Sequence, residues 1–173
     1  INKLQHASDW NNRPRDLASL TRWVSKTYEK PVSWQIVDVR TPVTEWHDAP
    51  ILYIAGSKAP KFTPEDIAKL RAYVQQGGTI FSASECAGRT FQAGIRQVYA
   101  RMFPEYKIEQ LPKEHPVYST HYPLRGTPVL HAVSNGVRPL VIHCDTDLPA
   151  SWQLRNVVTQ ASAFKIMANI YMY

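Results

Sequence analysis

The sequence predicts a doubly wound α/β domain: a mostly parallel sheet covered by helices on both faces, with a late β-hairpin. Three observations predict it. Short β-rich runs alternate along the chain with amphipathic helical stretches, the pattern of consecutive β-α-β units. The run Ile51-Leu52-Tyr53-Ile54-Ala55 is apolar at every position, as a strand buried on both faces must be. Late in the chain, Ser134-Asn135-Gly136 separates Val129–Val133 from Val137–His143, and Asn-Gly favours a tight hairpin turn. With 173 residues and no internal repeat, one domain spanning 1–173 is the expected organisation.

Each element follows from local chemistry. Lys3 to His6 reads as a short strand, followed by the turn-forming Asp9-Trp10-Asn11-Asn12-Arg13-Pro14. Leu17, Leu20, Trp23 and Val24 then recur at helical spacing, and Ser33 to Val39 is β-rich. After Gly56 comes the clearest signal in the chain, Thr63-Pro64-Glu65-Asp66. Thr63 can cap a helix, Pro64 suits its first turn, and two acids meet the positive end of the helix dipole. Ile67, Leu70, Tyr73 and Val74 form its buried stripe, and Gly77-Gly78 supply a left-handed stop before the strand at Thr79-Ile80-Phe81. Phe91, Ile95, Val98, Tyr99 and Met102 mark another helix, Lys107 to Gln110 a strand, and Phe164, Met167, Ala168 and Ile170 a final helix within 157–173.

Composition excludes several classes of function. Hydrophobic residues make up 44% of the chain and charged residues 20%, and no apolar run approaches the length of a membrane span. The net charge of +6 comes from dispersed Lys and Arg without a dense basic run, so nucleic-acid binding is not indicated. Two cysteines are too few for a disulfide scaffold. Histidines 115, 121, 131 and 143 lack any metal-binding spacing, so neither a metal nor another cofactor is expected. The chain opens on Ile1 without Met, as an excised or processed piece of a longer protein would.

A set of short motifs in a fixed order carries a family resemblance. These are Asp9-Trp10-Asn11 with Arg13-Pro14, Thr63-Pro64-Glu65-Asp66, Leu70-Arg71-Ala72-Tyr73, Gly77-Gly78, Phe103-Pro104, Leu111-Pro112, His115-Pro116-Val117-Tyr118, and Asp147-Leu148 followed by Trp152. Together they resemble the bacterial family called domain of unknown function 4159 over nearly the whole chain. The resemblance implies a flavodoxin-like fold akin to class I glutamine amidotransferases and the ThuA-like proteins, and imports no activity. It also implies a place within a larger envelope or exported protein, hence an extracytoplasmic location and other domains of the parent chain as neighbours.

In open parallel sheets, ligands bind outside the carboxyl ends of the strands, which directs attention to the segment after Phe81. Ser84-Glu85-Cys86-Ala87-Gly88 partly resembles the Gly-x-Cys-x-Gly elbow of the glutaminases: Gly88 matches the second glycine, and Ser84 replaces the first. A cysteine nucleophile needs a base and a group to orient that base. The chain has no His-x-Glu, and His143-Cys144-Asp145 is its nearest counterpart. The enzyme reading is therefore a cysteine-dependent hydrolase or amidase in which Cys86 attacks, His143 is the base, Asp145 orients it, and amides near Ala87 form an oxyanion hole. The alternatives for Cys86 are a small residue packed under a loop and a disulfide with Cys144.

The rival expectation is a non-catalytic module that binds a small molecule, glycan or protein segment at this edge. Asp9, Trp10, Asn11 and Arg13 follow the first strand, and Arg13, Glu85, Arg89 and Asp147 can converge from separate loops. His115 and Trp152 complete the candidate set, each with a structural alternative: a hydrogen-bonded corner for His115, and core packing for Trp152.

Overall fold

The computed structural model describes residues 1–86 and 88–173. Seven strands form one sheet in the order β2-β1-β3-β4-β7-β6-β5: β1 (Asn2–Gln5), β2 (Gln35–Asp38), β3 (Ile51–Gly56), β4 (Thr79–Ser84), β5 (Ile108–Gln110), β6 (Leu130–Ser134) and β7 (Pro139–Cys144). Strands β2, β1, β3, β4 and β7 are parallel, and β6 runs antiparallel between β7 and β5. The sheet is thus the mostly parallel, flavodoxin-like α/β sheet that the patterning predicts. The hairpin is more than an appendage, because its second strand, β7, completes the parallel sheet beside β4.

Among the described residues five helices cover the sheet: α1 (Asp16–Tyr28), α2 (Pro64–Gln75), α3 (Arg89–Met102), α4 (Leu148–Gln153) and α5 (Ala161–Met172). Alternation along each strand divides the core into two layers. Tyr53, Ala55, Phe81, Ala83, Ile142 and Cys144 pack with α1, α4 and α5. On the other face, Leu52, Ile54, Ile80 and Val141 pack with α2 and α3. Both faces of β3, β4 and β7 are buried, which is why β3 reads as an apolar run without alternation.

The start of α2 forms as its sequence dictates. The Thr63 side chain accepts from the Asp66 N–H, and Asp66 accepts from the Thr63 N–H, a reciprocal capping box. At its end Gly77 takes φ +107°, a left-handed turn that glycine adopts without steric cost. Helix α4 and the 3₁₀ turn at Val43–Asp48 have no counterpart among the predicted elements.

The chain leaves β1 for β2 on one side, while β3 lies on the other, and α1 and α2 cover opposite faces. This reversal is the topological switch point, the place where open α/β sheets carry their ligand crevice; here it falls above β1 and β3, beside the segments after β4 and β7. No helix among the described residues is long and apolar enough to cross a membrane.

Candidate functional site

The floor of the crevice is a buried ion pair. Lys3, 1% exposed, donates from Nζ to both carboxylate oxygens of Asp16, at 2.9 and 3.0 Å, and Tyr53 donates to Asp16 Oδ2 at 3.2 Å. The same Nζ donates to the Arg13 carbonyl at 3.1 Å, so the pair fixes the backbone that presents the Arg13 side chain. Burial pushes the Asp16 carboxyl up and the Lys3 ammonium opposes that shift.

Asp9 clamps the β1 and β3 loops together. Its carboxylate accepts from the backbone N–H groups of Ser57 and Lys58, each at 3.0 Å, from the Ser57 hydroxyl, and from Asn12 Nδ2 at 3.0 Å. Burial opposes ionisation, but the donors of Ser57, Asn12 and Lys58 outweigh it and hold the Asp9 carboxyl well below the usual carboxylate range. With its lone pairs used internally, Asp9 builds the site without facing a ligand.

The segment after β4 sits on this clamp. A Cβ on Gly88 would lie 2.4 Å from the Ser57 carbonyl oxygen and 2.9 Å from that of Glu85, so only glycine permits the approach. Cys86 takes φ +52°, uncommon for a residue with a side chain. Asp147 holds it there by accepting from the Cys86 N–H at 2.7 Å. The same Asp147 oxygen accepts from Arg13 at 2.9 Å, and the other accepts from the Ala150 N–H at the start of α4. Arg13 also lies 3.3 Å from Cys86 Sγ. Three loops, after β1, β4 and β7, therefore meet at Arg13, Cys86 and Asp147.

Beneath them, Glu85 is fully buried. Asn12 donates to its Oε2 at 2.9 Å, while its Oε1 has no hydrogen-bond partner among the described residues. Burial raises its carboxyl to about 7, with the Asn12 hydrogen bond and Lys3 opposing and Asp16 and Asp147 adding to the rise.

His143 does not join Cys86. It points to the α2–α3 face, fully buried, with Nδ1 2.8 Å from the Ser82 hydroxyl and Nε2 2.9 Å from Asp145 Oδ1. Tyr99 in turn donates to Ser82 at 2.6 Å. Asp145 is held by Arg96 at 2.8 Å, and the His143 hydrogen bond is the main reason its carboxyl lies well below the usual range. This Ser-His-Asp chain is inside out relative to a hydrolase: the hydroxyl is buried under Tyr99, and the carboxylate is the accessible end. Both ring nitrogens of His143 are occupied, so it is no base for Cys86. The expected oxyanion hole near Ala87 lies outside the described residues.

The alternative of a disulfide between Cys86 and Cys144 is also excluded, since both cysteines are free. Cys86 is exposed at the loop. Cys144, in contrast, is buried on β7 toward α1 and α4, where burial pushes its thiol up to about 11.

Other candidates fall elsewhere. Trp152 is core, fully buried against Tyr53 and Phe81, with its indole N–H donating to Ala163 O at 2.9 Å. His115 caps a 3₁₀ turn by accepting from the Val117 N–H and packs on Tyr173 at the chain end. That end lies across the sheet from the crevice, because neighbouring Tyr171 lines a cavity with Asn2 and Gln35, the first residues of β1 and β2. Trp10 is half-buried, and Asn11 and Arg89 are exposed near the crevice. Among the described residues no group of three His, Cys, Asp or Glu side chains could hold a metal ion.

The reading from sequence omits Lys3, Asn12, Asp16, Ser57 and the Ser82–Tyr99 pair; it chose Asn11, whereas the neighbouring Asn12 is the residue that binds Asp9 and Glu85. Lys3 carried a signal, a lone charge inside an otherwise strand-like run; Ser57 and Ser82 carried none.

No curated protein matches the chain. Among solved structures, the exo-beta-1,4-mannosidase Op5Man5 from Opitutaceae bacterium strain TAV5 is similar over 96% of this chain, with 16% identity and a TM-score of 0.47. The chain spans 35% of that protein. One family model, Domain of unknown function (DUF4159), matches residues 1–173. Matched from first residue to last, the chain belongs to the DUF4159 family.

Proposed function

We propose that this chain is a non-catalytic ligand-binding module, an amidotransferase-like scaffold whose elbow cysteine lacks a catalytic base. The observation that carries this reading is the partner of Cys86: an arginine, where a hydrolase would place an imidazole. What the crevice does present is the half-buried Arg13 guanidinium beside the half-buried Trp10 ring, on a rim that also carries the exposed Asn12. Such a rim suits a small molecule, a glycan or a peptide segment that offers hydrogen-bond acceptors, with the aromatic ring supplying contact area. The family resemblance supports a module within a larger exported or envelope protein.

The test is amide chemical-shift mapping with a panel of neutral and acidic oligosaccharides and short acidic peptides. A saturable response centred on Trp10, Asn12, Arg13 and Cys86, lost in Arg13→Ala, is the expected result. Responses confined to other surfaces across the whole panel would overturn the assignment of this edge.

A second reading, a cysteine-dependent hydrolase or amidase, draws on one observation: Cys86 adopts the strained backbone of a nucleophile elbow and is open to solvent. It requires a base other than His143. Turnover of amide or ester substrates, abolished by Cys86→Ser, would establish it.

A further inference from the structure

We propose that Glu85 is a proton-operated latch on the site: protonated, it stays folded beneath Asn12 and holds Cys86 against Arg13 and Asp147; ionised, it leaves the core and releases that contact. The inference concerns the control of the crevice described above and does not depend on which ligand the crevice takes.

Charge counting motivates it. The groups facing Glu85 are Lys3 from β1, Asn12 and Arg13 from the loop after β1, Asp16 from α1, Tyr53 from β3, and Asp147 from the loop before α4. Two cations thus serve three carboxyls, and both are committed: Lys3 to Asp16, and Arg13 to Asp147. Glu85 is the carboxyl left without a cation. It is fully buried, has one neutral donor on Oε2, and among the described residues has no partner on Oε1. A carboxylate in that place would face Asp16 and Asp147 uncompensated, whereas a carboxylic acid is tolerated.

The backbone ties the latch to the site. The Glu85 N–H donates to the Gly56 carbonyl at 2.9 Å, and the next N–H, of Cys86, donates to Asp147. In the released state of the latch both of these N–H groups open.

The direction with pH follows from linkage. The carboxyl has a raised value, about 7, in the closed state and returns to its ordinary value, 4.5, once solvated. The closed state therefore binds more protons, is favoured at low pH, and loses stability as pH rises between those two values, with no further loss above them.

The experiment is amide hydrogen exchange at Glu85 and Cys86, corrected for intrinsic rates, from pH 5 to 8. In wild type the protection factor is expected to fall by up to roughly tenfold per pH unit as far as neutrality and then level off. In Glu85→Gln, which keeps the acceptor for Asn12, protection is expected to be independent of pH. Protection that is flat in wild type, or that falls equally in Glu85→Gln, would overturn the latch. As a measurement independent of the variant's folding, the ¹³C resonance of the wild-type Glu85 carboxyl is expected to titrate near neutrality; titration in the ordinary glutamate range would also overturn it. None of these readouts involves a ligand, so failure of the latch and failure of the binding assignment remain separate results.

Discussion

At the scale of single residues, Gly88 and Asp9 decide whether the crevice exists. Gly88→Ala places a methyl group 2.4 Å from the Ser57 carbonyl, inside contact distance of backbone that cannot swing aside as a side chain would. The expected cost is about 1–3 kcal/mol in chemical denaturation, the usual range for overpacking a well-filled site. Asp9→Ala leaves the Ser57 and Lys58 N–H groups without their acceptor, and a loss of about 1–3 kcal/mol is expected, read the same way. Sequence reasoning reached Asp9, Arg13, Glu85 and Asp147 because polar residues clustered after apolar strands mark the functional edge of a parallel sheet. It could not tell a carboxylate that builds a loop, such as Asp9, from a group that faces a ligand, since that depends on where Ser57 and Lys58 donate. Pairing Cys86 with His143 failed for a similar reason. Residues two apart on a strand share a face, and whether that face is the open edge or the underside of α3 depends on register, which patterning leaves open.

At the scale of elements, α2 is the most legible part of the chain and the easiest to probe. Its capping box, proline and glycine stop are local signals that act within a few residues, so they survive folding unchanged. Thr63→Ala removes the side-chain acceptor of the Asp66 N–H, and a loss of about 1 kcal/mol is expected in a denaturant midpoint series. The short elements were not legible. Helix α4 spans Leu148–Gln153, too short for a helical period to show, and it is fixed by Asp147 capping Ala150 and by Trp152 entering the core. The hairpin was legible as a hairpin, but its position at the heart of the sheet was not. Nothing local in Pro139–Cys144 says that it pairs with β4 as well as β6; its burial on both faces does.

At the scale of the whole molecule, groups whose proton affinity the fold shifts set the pH dependence of stability. Asp9 and Asp145 are held below the usual range, so the stability they contribute is present above the ordinary carboxylate value and is lost as pH falls below it. Glu85 is raised to about 7, so its contribution is present at low pH and is lost as pH rises from its ordinary value to neutrality. Burial holds His6, His115 and His131 below the usual imidazole range, so the stability they contribute is lost as pH falls below that range, opposing the Glu85 trend. Thermal unfolding of wild type and Glu85→Gln at pH 5 and pH 7.5 isolates the glutamate: relative to Glu85→Gln, the wild type is expected to be more stable at pH 5 than at pH 7.5 by up to about 3 kcal/mol. Fold and site differ in legibility at this scale too. Alternating apolar runs and helices suffice for a mostly parallel sheet, whereas the site depends on which loops end up within hydrogen-bond distance of one another.

The central claim is that Cys86 is served by Arg13 and Asp147 from neighbouring loops and not by an imidazole. The most direct measurement is the rate of Cys86 alkylation by iodoacetamide in wild type and in His143→Gln, with each protein shown to be folded by its amide spectrum. With both His143 nitrogens bound to Ser82 and Asp145, the rate is expected to agree within about twofold. A drop of about tenfold or more in His143→Gln would show that the imidazole activates the thiol, and would return the chain to the cysteine hydrolases.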